Sequence, residues 1–210
     1  MNKKAFVIVV GVDYAEVSDA ALARAFEHAE REEAAEVHVV SVLPRVHTDP
    51  LHIPKAVLLD AEIASCRLKD HVEARLRDFA QPNGRRIPGR VVSHVCFDSP
   101  ANGIVQLASD LEADLVVVGT HSRQGLSRLV LGSVAEGVLR LTPCPVLVIP
   151  PKTQLVEGPK IEPPCARCLE AREKSAELWC EQHRERHGRR HTYHQGDRAG
   201  TETNFPLVTN

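Results

Sequence analysis

The sequence predicts an open parallel α/β sheet with helices on both faces, followed by a small cysteine- and histidine-rich module. Three observations carry that prediction. Apolar runs alternate with helix-spaced patterns through the first 150 residues. Pro150, Pro151, Pro159, Pro163 and Pro164 then interrupt the pattern, and a charged, histidine-rich stretch takes over. Within that stretch, Cys165-x2-Cys168 is followed after eleven residues by Cys180-x2-His183.

Taken in order, Ala5–Val12 is a continuous run rich in Val and Ile, as a strand buried on both faces requires. Ser18 is placed to cap a helix in which Leu22, Phe26 and Ala29 recur at helical spacing. Val37–Leu43 reads as the second strand, stopped by Pro44, and residues 45–54 read as a loop holding Pro50 and Pro54. From about Lys55 to Ala80, Val57, Ala61, Ala64, Leu68, Val72, Leu76 and Phe79 stripe one face of a long helix. Val91–Phe97 is a third strand, less purely apolar and so nearer an edge. A helix over Ala101–Leu111, a strand over Leu115–Gly119, a helix over Gly132–Leu141 and a last strand over Pro145–Ile149 complete five strands with interleaved helices. Right-handed crossovers are expected throughout.

At 43% apolar, the chain has enough hydrophobic material for a core and is not a disordered chain. Its longest apolar run is too short to span a bilayer, and no charged-then-apolar leader opens it, so a soluble cytoplasmic protein with no membrane partner is expected. A net charge of -2 gives no bulk reason to expect nucleic-acid binding. The six cysteines do not form a secreted disulfide framework: Cys66, Cys96 and Cys144 are scattered, while Cys165, Cys168 and Cys180 cluster.

Ligands of such sheets bind beyond the carboxyl ends of the strands. Two strand ends carry unusual residues. Gly11-Val12-Asp13 places a carboxylate just past the first strand, suited to a ribose hydroxyl or a metal ion. Gly119-Thr120-His121-Ser122 is separated by nine residues from Gly132-Ser133 at a helix start. A helix N-terminus presents unpaired N–H groups and a partial positive charge, so a phosphate fits there. Gly132 allows close approach, Ser133 adds a hydroxyl donor, and the Thr120–Leu131 loop can fold over the ligand. There is no Gly-x4-Gly-Lys-[Ser/Thr] P-loop, and no Gly-x-Gly-x2-Gly follows the first strand. Taken singly, each feature also reads as a plain turn or cap.

The Gly119-x2-Ser122-x9-Gly132-Ser133 segment, the opening Val9-Val-Gly-Val-Asp13 and the run Thr142-Pro-Cys-Pro-Val-Leu-Val-Ile149 resemble the universal stress protein family over about residues 3–150. The resemblance implies a sheet of order 3-2-1-4-5, homodimerisation and, as in many members, ATP binding. It implies that Val12, Asp13 and Val42 line an adenosine pocket with Val118 and Gly119 beside it. Gly132, Ser133 and Val134 would then hold the phosphates. Ser122 stands where the family motif has its second glycine. A positive φ there, or a crowding Cβ, would weaken binding, whereas the serine hydroxyl would add a donor. His121 falls where the family often has His, and a loop-stabilising contact suits it better than catalysis. In the family order Pro145–Ile149 is an edge strand, which needs cover, so two copies are expected to pair there.

In the tail, Cys165, Cys168, Cys180 and His183 supply four ligands for tetrahedral Zn2+, with His187, His191 or His194 as alternative fourth ligands. Thiolates suit zinc or another soft ion and disfavour Mg2+ and Ca2+. Leu169–Leu178 is helix-compatible and can link the two pairs, and Trp179 is placed to pack on the metal module. The opposing reading is redox-active or incidental cysteines. Arg184, Arg186, Arg189, Arg190 and Tyr193 suit contacts to nucleic acid, although a solvated basic stretch is the plainer reading.

The partition expected is a nucleotide-binding domain over 1–150, a proline-rich linker over 151–164, a zinc module over 165–194 and a disordered tail over 195–210. The first functional reading is a stress-response regulator, not an enzyme, that binds ATP in its body and docks a partner through its zinc tail. The rivals are a zinc-tail adaptor for nucleic acid or protein on a dimerising body, and a slow ATP-hydrolysing or phosphoryl-transfer enzyme. The enzyme ranks lower for want of a P-loop lysine or a positioned base.

Overall fold

Each apolar run becomes a strand because both of its faces find a helix to pack against. The computed structural model describes residues 4–45, 55–81, 85–120, 131–151, 164–175 and 177–188, together with two-residue strands at 195–196 and 202–203. The elements are β1 (Phe6–Gly11), α1 (Glu16–Arg31), β2 (Ala35–Leu43), α2 (Lys55–Ala80), β3 (Arg90–Phe97), α3 (Pro100–Asp110), β4 (Leu115–Gly119), α4 (Ser133–Leu141) and β5 (Val146–Ile149), then α5 (Ala166–Ser175), α6 (Glu181–Gly188), β6 (Gln195–Gly196) and β7 (Glu202–Thr203). The chain separates into two units, Met1–Val156 and Glu157–Asn210.

In the first unit the sheet runs β3-β2-β1-β4-β5 with every pair parallel. Side chains alternate across β1. Ile8 and Val10 join Leu22 and Phe26 of α1 and Leu68 and Val72 of α2 in one core. Val7 and Val9 join Ile104 of α3 and Val138 of α4 in the other. β3 and β5 are the edges, and every described position on β5 is half-buried. No described helix is long and apolar enough to cross a membrane. The short β6–β7 pair is antiparallel and belongs to the second unit.

Three local expectations need correction. Ser18 does not cap α1: the helix starts two residues earlier, its N-cap is Ala15, and the Ser18 hydroxyl donates to the Ala15 carbonyl at 2.9 Å. Gly132 is the N-cap of α4 and not its first residue. The stripe of α2 buries Leu68, Val72 and Phe79, while Val57, Ala61 and Ala64 toward its start are only half-buried. The lower apolarity of β3 has a physical cause: it lies at the sheet edge, and His94 on it bonds the buried His38 of β2 at 2.9 Å.

Candidate functional site

The carboxyl edge of the central strands gathers the residues singled out in the sequence. The β1–β2 register pairs Gly11 with Val40, and the Val12 N–H donates to the Val40 carbonyl at 2.9 Å. Continuing that register sets Asp13 level with Val42. Val12 is buried. The Asp13 carboxylate accepts the Ala15 N–H at 3.1 Å, and the Asp13 N–H donates to the Ser18 hydroxyl at 3.4 Å. These bonds close a turn in which a short acidic side chain holds its own backbone two residues on. Tyr14 sits inside that turn at φ 66°, a left-handed conformation that few non-glycine residues adopt. Its ring is held by an edge contact to His71 at 5.1 Å and by the Arg67 guanidinium at 4.4 Å.

At the end of β4 the chain is pinned twice. The Thr120 N–H donates to the Ile149 carbonyl at 3.0 Å, and the Gly132 N–H donates to the Thr120 carbonyl at 2.7 Å. The second bond fixes the start of α4 beside the end of β4. Gly132 has φ -60° and ψ 147°, open to any residue, so its backbone conformation does not demand glycine. Among the described residues no side chain caps α4, and Ser133 at its first turn is exposed. Gly119 answers to a different constraint: a Cβ there would lie 2.8 Å from Val17 Cγ1 and 3.3 Å from the Val17 carbonyl carbon. Val118 and Val134 both join the core under α3 and α4. Ser122 and His121 lie outside the described residues.

One feature of this edge had no spacing signal in the sequence. A cavity of about 450 Å³ opens between the ends of β2 and β3 and the start of α3, lined by Val42, Pro44, Arg45, Asp98, Ser99 and Asn102 among others. Arg45 pairs with Asp98 at 3.0 Å across it. The Arg45 guanidinium, then the Ser99 N–H, holds the Asp98 carboxyl below the ordinary carboxylate range.

In the second unit Cys165 precedes α5, Cys168 lies in its first turn, Cys180 precedes α6 and His183 lies in its first turn. Two short helices thus aim two residues each at one point. The four ligand atoms lie within 4.8 Å of one another. His183 Nδ1 is 3.3 Å from Cys165 Sγ, 3.2 Å from Cys168 Sγ and 3.6 Å from Cys180 Sγ, and the sulfurs of Cys165 and Cys180 are 3.9 Å apart. A tetrahedral ion with arms of about 2.3 Å to sulfur and about 2.0 Å to nitrogen has edges of about 3.5–3.8 Å. The donor set and its spacing therefore fit zinc. The Cys180 N–H donates to Cys168 Sγ at 3.4 Å, and the Cys168 N–H, chief among several donors, brings the Cys165 thiol down to about 7. Among the described residues, His183 is the candidate histidine placed at this point. The His187 side chain, His191 and His194 lie outside the described residues. Trp179, expected to pack on the module, has the Arg172 guanidinium 5.3 Å from its ring centre.

The sequence model described as Universal stress protein family matches residues 6–150. Universal stress protein Mb2028c of Mycobacterium bovis is 36% identical over 144 residues, covering 67% of this chain and 44% of that protein. Universal stress protein G of Shigella flexneri is 32% identical over 148 residues, covering 70% of this chain and 98% of that protein. The chain therefore spans less than half the length of the mycobacterial relative. Among solved structures, that of the universal stress protein UspA from Lactobacillus plantarum superposes with a TM-score of 0.55 at 28% identity, covering 70% of this chain and 99% of that one. The family match ends where the Cys/His unit has not yet begun.

Proposed function

The chain belongs to the universal stress protein family, and from that premise we propose that it is a stress-response regulator that binds ATP at the carboxyl edge of its sheet. The observation that carries this reading is the mouth of α4. A helix start with no side-chain cap among the described residues is tied to the end of β4 inside the Gly119-to-Ser133 motif. Its first-turn N–H groups and the exposed Ser133 hydroxyl suit the phosphates. Asp13, held by the Ala15 N–H, suits a ribose hydroxyl, and the cavity beside Val42 has room for a base. Binding would bias conformation or dimer contacts, the dimer forming through the edge strand β5 and the Pro145 before it. Gly132→Val puts a branched side chain into the phosphate mouth at a φ that valine adopts freely. Calorimetry is expected to show ATP binding abolished with circular dichroism unchanged. ATP affinity equal to wild type would refute the site.

The same proposal assigns one structural Zn2+ to Cys165, Cys168, Cys180 and His183. Four protein ligands leave no open position for water, so the ion would supply folding energy and not hydrolysis. Three cysteines kept as ligands suit a reducing compartment such as the cytoplasm. The folded module would dock a protein or nucleic-acid partner.

A further inference from the structure

The outward face of α2 carries a second apolar pattern, away from the nucleotide edge of the same unit. Leu68, Val72 and Phe79 turn inward to the core. At about 100° per residue, Ala56, Leu59, Ile63 and Cys66 fall on the opposite side. All four are exposed, Leu59 at 56% and Ile63 at 58%. Their spacing is 3-4-3, the a-d-a-d seam of two heptads, whereas the inward stripe serves the fold. Leu58, also exposed at 55%, lies to one side of this seam.

We propose that this face is a self-association surface on which a second copy of the chain lays its own α2 in parallel. Three features select that occupant and that direction. Ile63 at an a position with Leu59 at a d position is the combination that favours two parallel strands. In the parallel arrangement each g position meets the e position five residues on in the other helix. That sets Lys55 against Asp60 of the partner subunit and Glu62 against Arg67 of the partner subunit, and symmetry makes four opposite-sign pairs. Running antiparallel with the same layers, Glu62 would face the partner's Glu62 and Asp60 the partner's Asp60. The flanking charges therefore favour one orientation and oppose the other. Arg67 remains available for its pair: its Cζ lies 4.4 Å over the centre of the Tyr14 ring, and the fork of N–H donors on the guanidinium exceeds what that one ring contact occupies. Stacked d layers also bring the two Cys66 side chains together. α2 packs beside β3, and β5 is the other edge of the sheet, so this surface is separate from the proposed β5 pairing.

Cys66 supplies the probe. The full-length, zinc-loaded protein is treated with diamide at micromolar concentration, and cross-linked dimers are mapped by mass spectrometry of non-reduced peptides. Two Cys66 thiols form one S–S bond, and their two electrons and two protons pass to the N=N bond of diamide. A Cys66–Cys66 link is expected in wild type and is expected to disappear in Ile63→Asp, a change at an exposed position that leaves the core untouched. Lys55→Glu turns two attractive contacts into repulsive ones and is expected to slow the link about tenfold. Lys55→Glu/Asp60→Lys exchanges the signs and is expected to restore the rate. A wild-type protein with no Cys66–Cys66 link, an equal rate in Ile63→Asp, or a double variant as slow as the single one overturns the proposal. Sedimentation of Ile63→Asp keeps the two interfaces apart, because a dimer that persists there is not built on α2.

Discussion

His94 shows how a single residue ties a half-buried bond to solution pH. Its ring nitrogen bonds His38 at 2.9 Å, and His38 in turn reaches Glu36 at 3.3 Å, with Arg90 3.4 Å from the same carboxylate. Burial, then electrostatic repulsion from the His38 and Arg90 side chains, pushes the His94 pKa below its ordinary value. A lowered histidine pKa means that the folded state prefers the neutral ring. The contribution to stability is complete above the unfolded value of about 6.5 and is lost as pH falls below it toward the folded value. Thermal melts are expected to show midpoints falling from pH 7 to pH 5, with a shallower fall in His94→Gln. An identical slope in the variant would assign the acid sensitivity elsewhere. The residue scale also marks where sequence reasoning succeeds and where it stops. The position of Asp13 at the end of β1 was legible because a carboxylate just past an apolar strand is a local pattern. The left-handed Tyr14 was not, since it depends on contacts from His71 and Arg67, both distant in sequence. Ser18 misleads because serine suits both the cap and the first turn, and here its hydroxyl is used to close the Asp13–Ala15 turn.

At the scale of elements, close approach decides more than propensity. Gly119 ends β4 where the start of α1 passes over it, leaving a Cβ 2.8 Å from Val17 Cγ1. The second contact, at 3.3 Å, is to backbone, which cannot rotate away. Gly119→Ala is therefore expected to destabilise the first unit by about 1–3 kcal/mol, as overpacking does, and chemical denaturation would measure it. A loss below a few tenths would show that α1 shifts freely. Strand and helix order was legible because uninterrupted Val/Ile runs and a 3.6-residue stripe are local signals. The order 3-2-1-4-5 was not contained in periodicity, which says nothing about which strands pair; it came from the family resemblance. The outer seam of α2 was not legible, because its Leu and Ile residues are interleaved in the sequence with the residues of the inward stripe, and exposure separates the two only in the folded chain.

At the scale of the whole molecule, the two units differ in what can hold them together. The first has two apolar cores packed on either face of one sheet. In the second, among the described residues, Cys168 is the one buried apolar side chain. A unit of this size with so small a core depends on a staple, and the zinc proposed at Cys165, Cys168, Cys180 and His183 would be that staple. The sequence offers a selective reporter, because Trp179 is its single tryptophan and it neighbours Cys180. Removing zinc with a chelator under reducing conditions is expected to shift tryptophan emission to the red and expose residues after 164 to protease. The far-UV signal of the first unit and its ATP binding are expected to persist, because its cores contain none of the four ligands. Cys168→Ser is expected to reproduce the chelated spectrum without chelator and to purify with less than stoichiometric metal. Emission that stays unchanged after the metal is stripped would mean that the second unit folds without it, and the four side chains would then be better read as redox-active thiols around a histidine.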